Sequence, residues 1–358
     1  MNENERLLVD QQFLEDISEI IAQAKKNAKT AVNLTMVYAY YEIGRRIVEK
    51  EQQGKSRAAY GTQLLKVLSE YLTEEYGKGY SAENLKLMRR FYVVYSQDQI
   101  GETAFTQFKD LPTVSTGRRF YLSWSHYLKL MRISNIDERH FYEIESVKNG
   151  WSITELKRQY NSALYERLAL SKNKEEVYRL ALEGQTIETP KDAVKDPFVL
   201  EFMGLPELPS YSETELESRI IDHLEQFLLE LGTGFAFMGR QVRFTFDEEH
   251  FIVDLVFYNR LLRCFVLFDL KIGELKHQDI GQMQMYVHYY DREVKLPEEN
   301  PTIGIILCRD KNNAVVKMTL PEDNEQIFAS KYETVLPKKE ELQKLLQEQL
   351  SEEEGEES

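Results

Sequence analysis

The sequence changes its periodicity after about residue 200, and this change most limits what the chain can fold into. Three successive runs there alternate or are continuously apolar, as β-strands are, and helical patterns lie before and after them. The order helix, three strands, helix, strand predicts a small α/β unit and not a doubly wound sheet. The predicted elements are a helix opened by Ser212 and ended by Gly232, strands Phe235–Phe246, Phe251–Tyr258 and Arg263–Leu270, a helix His277–Tyr290 and a buried strand Thr302–Cys308.

The preceding residues, 1–182, carry apolar positions at helical spacing and almost no sustained alternation, which predicts an all-α domain. Residues 183–197 contain two prolines and no apolar periodicity, so they are the predicted linker. The α/β domain is expected over 198–335. Residues 336–358 form a helical, acidic tail whose end, SEEEGEES, is expected to be disordered.

The net charge of −15 argues against a nucleic-acid partner only at first sight, because the acids are concentrated after residue 180. The first half is mildly basic, which is compatible with DNA binding. No apolar run is long enough to span a membrane, and the start of the chain lacks the pattern of a secretion signal. Cys264 and Cys308 lie in apolar strand-like runs and indicate buried thiols in a reducing compartment. We therefore expect a cytoplasmic protein with no membrane partner.

Three ionic residues interrupt the apolar strands. Asp254 lies within FIVDLVFYN, and Asp269 and Lys271 lie within VLFDLKIGELK. Residues two apart on a strand face the same side, so Asp269 and Lys271 should project together, and a hairpin would bring Asp254 beside them. Taken alone, the Asp-x-Lys triplet is better explained by an ion pair at a strand end. With Asp254 on the neighbouring strand, a functional site is the better interpretation.

Two carboxylates on apolar strands are costly unless a cation compensates them. Carboxylate oxygens suit Mg²⁺, or Mn²⁺, which lowers the pKa of a bound water and stabilises charge on a phosphate oxygen. Lys271 could orient or deprotonate the attacking water and stabilise the phosphate in the transition state. Asp254 and Asp269 are thus candidate metal ligands of a site that hydrolyses phosphodiesters.

These residues resemble the PD-(D/E)xK nuclease superfamily, with Val253 where many members have proline. The helix sequence GQMQMYVHYY places Gln282 and Tyr286 at the Q-x-x-x-Y spacing of the RecB-like branch. The surrounding sequence is similar to the bacterial YhcG-type family over most of residues 30–310, including YYEIGRRIVEKEQQG in the helical half. The resemblance implies a restriction-endonuclease-like αβββαβ domain, with Gln282 orienting the catalytic site and Tyr286 supporting substrate binding.

Members of this superfamily also use a glutamate on the helix before the first strand. Glu213, Glu215 and Glu217 all lie there, and Glu215 stands where a capping box would place the partner of Ser212. Glu217 is close to the buried face of the helix. We favour Glu217 as the additional catalytic acid, with the other two left open.

In the helical half, GKGYSAENLKLMRRFYVVY resembles a turn followed by a DNA-recognition helix. Lys86, Arg89 and Arg90 on its polar side are candidate phosphate contacts. A solvated basic face on a bundle helix explains them equally well. The same domain could instead bind a partner protein, and many nucleases of this fold act on duplexes as homodimers. The alternative function is a non-catalytic module that binds nucleic acid or recruits a protein on a nuclease-like scaffold.

Overall fold

The computed structural model describes residues 11–53, 58–96, 118–170, 172, 174–195, 197–205, 211–246, 248–321 and 323–356. The chain forms two compact units, Met1–Leu156 and Lys157–Ser358. The expected all-α region followed by a mixed α/β domain is confirmed.

In the first unit, every regular element among the described residues is a helix. Ser81 begins the third helix as predicted, since its hydroxyl accepts the N–H of Asn84 at 3.3 Å. An aromatic core is built around Tyr41, Phe91 and Phe120. The helices are α1 (Gln11–Gln53), α2 (Ala58–Tyr76), a 3-10 turn (Lys78–Tyr80), α3 (Ala82–Tyr95), α4 (Trp124–Leu130), α5 (Ile136–Lys148) and α6 (Ile153–Asn161), which crosses into the second unit.

The second unit is a six-stranded sheet of order β1-β6-β5-β4-β3-β2. The pairs β2–β3 and β3–β4 are antiparallel, whereas β4–β5, β5–β6 and β6–β1 are parallel. The sheet therefore extends the predicted four strands by β6 and the very short β1. The strands are β1 (Phe198–Val199), β2 (Phe235–Phe246), β3 (Glu249–Asn259), β4 (Cys264–Glu274), β5 (Ile303–Asp310) and β6 (Ile327–Glu333).

The helices of this unit cover both faces of the sheet. On one face, Leu216 and Phe227 pack on Phe268, and on the other, Met283 packs on Leu267. Burial on both faces explains why β4 and β5 are almost continuously apolar. The helices are α7 (Leu164–Ala169), α8 (Lys174–Glu183), α9 (Glu213–Asp222), α10 (Leu224–Leu231), α11 (His277–Tyr289), α12 (Asn313–Thr319) and α13 (Lys339–Glu356), with 3-10 turns at Pro190–Ala193 and Glu201–Met203 and a π-helical turn at Tyr290–Val294.

A buried ion pair joins α7 to α10, one of the helices that cover this sheet. Arg167 in α7 and Glu230 in α10 are both fully buried, and Nη1 lies 2.6 Å from Oε1. Arg167 also donates to the backbone carbonyls of Ser162 and Pro197, at 2.9 Å each. The chain consequently divides after Leu156, although the sequence predicts that the helical domain continues to residue 182.

The predicted linker, 183–197, lies within the second unit. Ala193 and Lys195 are buried, and the Lys195 ammonium donates to the backbone carbonyl of Glu230. Two prolines and weak periodicity therefore mark an irregular segment packed against the domain. A loop without regular structure can still be buried when its polar groups find partners in this way.

The acidic tail contains helix α13, whose Lys339 lies 3.3 Å from Glu166 of α7. This helix continues through residues 351–356 of the segment SEEEGEES, which is expected to be disordered, and residues 357 and 358 lie outside the described residues. No helix in the described part of the chain combines the length and the apolar character needed to cross a bilayer.

Candidate active site

Asp254 lies where β3 and β4 separate. The two strands pair from Asn259–Cys264 up to Leu255–Phe268. One residue further, the Asp254 side chain replaces the backbone acceptor, and its Oδ2 accepts the N–H of Leu270 at 2.8 Å. Leu270 stands between Asp269 and Lys271, so this hydrogen bond fixes Asp254 beside both of them. Burial raises the pKa of Asp254, against the effect of that hydrogen bond and of the Lys271 charge.

Asp269 and Lys271 project from the same side of β4, as their spacing predicts. Nζ of Lys271 lies 2.9 Å from Oδ2 of Asp269, whose residue is only 2% exposed. Burial, together with the Asp254 charge and against Lys271, raises the pKa of Asp269 to about 7. Burial acts to lower the pKa of Lys271, but the Asp269 carboxylate outweighs it and leaves that pKa raised.

Gln241 in β2 connects this pair of strands to α9, and sequence reasoning missed it. Its Nε2 donates to Oε2 of Glu217 at 2.6 Å and to Oδ1 of Asp254 at 3.2 Å. Gln241 has a φ of 48°, in the left-handed region that residues other than glycine rarely adopt. A polar residue on an exposed edge strand gives no signal in the sequence. The pairing of β2 with β3, which brings it opposite Asp254, is what reveals it.

The three helix acids occupy different environments. Glu217 is buried apart from a small exposed fraction and reaches the site through Gln241. Burial raises its pKa, the Asp254 charge adds to this effect, and Gln241 and Arg240 oppose it. Glu215 is exposed, and its backbone N–H donates to the Ser212 hydroxyl at 3.2 Å, which caps the start of the helix. Glu213 is about half exposed, with Oε2 4.0 Å from Lys271 Nζ.

Gln282 and Tyr286 lie on α11 and contact each other, since the Gln282 amide donates to the Tyr286 hydroxyl. That hydroxyl donates at 2.8 Å to the carbonyl of Ile252, two residues before Asp254. Tyr286 is fully buried and packs edge-on against Phe244. The pair therefore supports β3 from below the site, and the direct contact of Tyr286 with substrate stays a prediction.

The arrangement of carboxylates fits a hard divalent cation. Among the residues that the structure describes, Oδ2 of Asp269 is buried, and its close contact is the Lys271 ammonium at 2.9 Å. An acceptor of this kind suits a metal ion. Within the described ranges, no three histidine, cysteine, aspartate or glutamate side chains are grouped so that they could hold a metal ion, and the candidate ligands are the two carboxylates of Asp254 and Asp269.

The three cations of the predicted recognition helix each have a partner within the protein. Lys86 lies 2.7 Å from Glu83, and Arg89 lies 3.2 Å from Glu51. Arg90 donates to the backbone carbonyl of Met131 at 2.9 Å. They line the exposed side of α3, but a phosphate would have to compete with Glu83 and Glu51 for the first two. Their role in nucleic-acid binding stays a prediction.

A helix-flanked mixed sheet with an aspartate on one strand and Asp-x-Lys on the next defines the PD-(D/E)xK nuclease class. The profile of the YhcG PDDEXK nuclease domain matches residues 191–350, and that of the DUF1016 N-terminal domain matches residues 16–167. The chain is 40% identical over 342 residues to the YhcG protein of Escherichia coli (strain K12), covering 91% of each chain. The chain therefore belongs to the YhcG family, which confirms the resemblance seen in the sequence.

Solved structures of nucleases give weaker similarities. A repair endonuclease from Pyrococcus abyssi is 18% identical, with a TM-score of 0.25, over 36% of this chain and 50% of that chain. EndoMS in complex with double-stranded DNA is 18% identical, with a TM-score of 0.26, over 37% and 48%. The aligned regions thus span about half the length of those solved chains.

Proposed function

We propose that this protein is a metal-dependent nuclease that hydrolyses phosphodiester bonds in DNA. The observation that carries the proposal is the convergence of Asp254, Asp269 and Lys271 where β3 and β4 separate, with Leu270 N–H holding Asp254 at 2.8 Å. A structural ion pair alone would need one carboxylate. The second, buried carboxylate leaves an excess of negative charge that a divalent cation would balance.

Asp254 and Asp269 would hold Mg²⁺ or Mn²⁺, which would supply an activated water and stabilise charge on the phosphate. The ammonium of Lys271 is already held in place by Asp269, so it can orient the attacking water and stabilise the transition state. Glu217 and Gln241 keep the carboxylate of Asp254 oriented through their hydrogen bonds. Gln282 and Tyr286 hold β3 at Ile252.

DNA is the proposed substrate because the family is a nuclease family and the first half of the chain is mildly basic. We assign phosphate contacts to Lys86, Arg89 and Arg90, which are exposed on α3 although each has a partner within the protein. Cytoplasmic residence accords with the two buried, free thiols of Cys264 and Cys308.

Cleavage assays test this proposal directly. The purified full chain is incubated with duplex, branched and single-stranded DNA, each with Mg²⁺, with Mn²⁺ or with a chelator. We expect metal-dependent cutting of at least one substrate, lost in Asp254→Asn and reduced at least about 100-fold in Lys271→Ala, the scale of removing a transition-state contact. Glu225→Gln, an exposed acid on α10, is the matched control and should cut normally.

Absence of cutting on every substrate, or equal cutting by Lys271→Ala, refutes the catalytic proposal. Retained DNA binding in the absence of cutting would instead favour the alternative, a non-catalytic scaffold. Gel shifts over a range of salt concentrations measure that binding, because phosphate contacts by α3 make it weaken as salt rises.

A further inference from the structure

The first half of α1 extends beyond the body of its unit. From Val37 onward the helix is packed, with Tyr41 and Ile47 buried against other helices. Residues 13–25, in contrast, are exposed at every position. A single helix surrounded by water has little stability of its own, since most helical stability in proteins comes from packing of an apolar face. We therefore expect this segment to be stabilised by packing against a partner.

An apolar face runs along the exposed segment. Its five large side chains are each 40–63% exposed, and they recur at helical spacing: Phe13, Leu14, Ile17, Ile20 and Ile21. An exposed apolar strip of this kind marks an interaction site. Within it, one seam alternates steps of three and four residues, the spacing of a coiled coil: Leu14, Ile17, Ile21, Ala24, Ala28 and Ala31.

The seam is asymmetric in size. Its first three positions are large, and its last three positions, Ala24, Ala28 and Ala31, are small and also exposed. When a second copy runs antiparallel, Leu14 meets Ala31 and Ile21 meets Ala24 of that copy, and Ile17 meets Ala28. Every layer then joins one large and one small side chain, as well-packed facing positions do. A parallel pair would set large side chains against large ones at one end and alanine against alanine at the other, so the two helices could not keep one spacing along the seam.

Charge follows the same gradient. Acidic Glu15, Asp16 and Glu19 accompany the large residues, whereas residues 25–29 read KKNAK beside the small ones. Glu15 lies on the same outer side of the helix as Ala22, and Asp16 and Glu19 also lie off the positions that flank the seam. These charges therefore face water in either arrangement and do not distinguish the two. The size of the seam residues is therefore what selects the antiparallel arrangement.

We propose that two copies of this protein dimerise through an antiparallel pair of helices formed by residues 13–31 of α1. The two-fold axis passes between Ile21 and Ala24, so the same surface serves both copies, as a two-fold interface requires. At the rise of an α-helix, residues 13–31 span about 27 Å. The dimer would therefore contain two nuclease domains. This dimer does not depend on the catalytic proposal.

Sedimentation equilibrium of the full chain at micromolar concentrations tests the association. We expect a dimer for the unaltered protein and a monomer for Ile21→Glu, which buries charge at the centre of the seam. Ala22→Glu, one residue away on the outer side of the same helix, is the matched control and should remain dimeric. A monomeric unaltered protein, or a dimer that survives Ile21→Glu, overturns the proposal.

Cysteine cross-linking tests the direction. Both native cysteines are buried, so an introduced thiol reports on α1 alone. Under mild oxidation, Leu14→Cys and Ala31→Cys should each fail to cross-link by themselves, because their twins lie at opposite ends of the seam. An equal mixture of the two variants should form the disulfide-linked dimer. Efficient cross-linking of Leu14→Cys alone would show a parallel pair and contradict the proposal.

Discussion

The side-chain amide of Gln241 lies 3.2 Å from Oδ1 of Asp254, so the edge strand β2 directly supports the carboxylate at the centre of the site. The same nitrogen holds Glu217 at 2.6 Å. Gln241 does this with a φ of 48°, a conformation that costs about 1–2 kcal/mol for an L-residue. Strained backbone maintained at such a position is typical of functional sites.

Replacing Gln241 with glycine separates the effect of its backbone conformation from the effect of its side-chain amide. Glycine adopts a positive φ without strain, so we expect Gln241→Gly to keep the thermal stability of the protein or raise it slightly. Loss of the amide frees Asp254 and Glu217, and Mn²⁺ affinity should fall by about 10-fold or more, the usual effect of losing such a supporting contact. Calorimetric titration with Mn²⁺ and a melting curve measure the two effects.

Glu248→Gly is the matched control, because Glu248 also has a positive φ, of 65°, and is exposed in the turn between β2 and β3. It should relieve strain without changing Mn²⁺ affinity. Unchanged affinity in Gln241→Gly would show that the amide has no part in forming the site.

The raised pKa of Asp269, about 7, makes the metal-free protein sensitive to pH. A carboxyl group whose pKa is higher in the folded than in the unfolded state stabilises the fold at low pH and loses that contribution as pH rises through the folded value. We expect the free energy of unfolding, with a chelator present, to fall between about pH 4 and pH 7 by an amount on the order of a few kcal/mol. Denaturant titrations at several pH values measure it.

Asp269→Asn removes the titrating group and is the comparison for this pH series. The variant should show a flatter dependence than the unaltered protein between pH 4 and pH 7. Parallel curves for the two proteins would mean that Asp269 is ionised at neutral pH without penalty, contrary to its burial.

The buried Glu230–Arg167 pair predicts a second pH effect with the opposite sign. Burial tends to raise the pKa of Glu230, but Arg167, Lys195 and Arg158 outweigh it and lower that pKa to about 2. Its stabilising contribution is therefore present above about pH 4.5 and is lost as pH falls towards 2. Glu230→Gln should destabilise the protein at pH 7 by about 3–5 kcal/mol, because it leaves Arg167 buried without a counter-charge.

Denaturant titrations of Glu230→Gln at pH 7 and pH 3 check this prediction. The unaltered protein should lose stability over that range more steeply than the variant. Arg179, whose ion pair with Glu188 is exposed, provides the comparison: Arg179→Gln should leave stability nearly unchanged. Similar losses in both variants would remove the energetic importance assigned to the buried pair.

The central strands and their ionic residues could be predicted from the sequence, because apolar runs such as those around Asp254 and Asp269 are rare except in buried strands. Spacing by two residues then fixed Asp269 and Lys271 on one side of β4, as the 2.9 Å contact shows. The sequence pattern also predicted α11, and the family resemblance singled out Gln282 and Tyr286 on it, which the structure shows in contact.

Contacts between residues far apart in the chain could not be predicted in this way. Gln241 meets Glu217 only because β2 pairs with β3 at the edge of the sheet. Likewise, the helical pattern around Arg167 gives no indication that its partner, Glu230, lies in the α/β unit. Periodicity reports which side of a helix is buried, but not against which element it packs. For this reason the sequence places the end of the helical domain at residue 182, whereas the two units divide after Leu156.

Calorimetric titration of the full chain with Mn²⁺ tests the central claim, that Asp254 and Asp269 together bind a divalent cation. We expect saturable binding by the unaltered protein and by Glu225→Gln, and no measurable binding by Asp254→Asn or Asp269→Asn. Lys271→Ala should still bind Mn²⁺, because it removes a cation and leaves both carboxylates. Equal binding by the unaltered protein and Asp254→Asn, or no binding by any of them, would contradict the account.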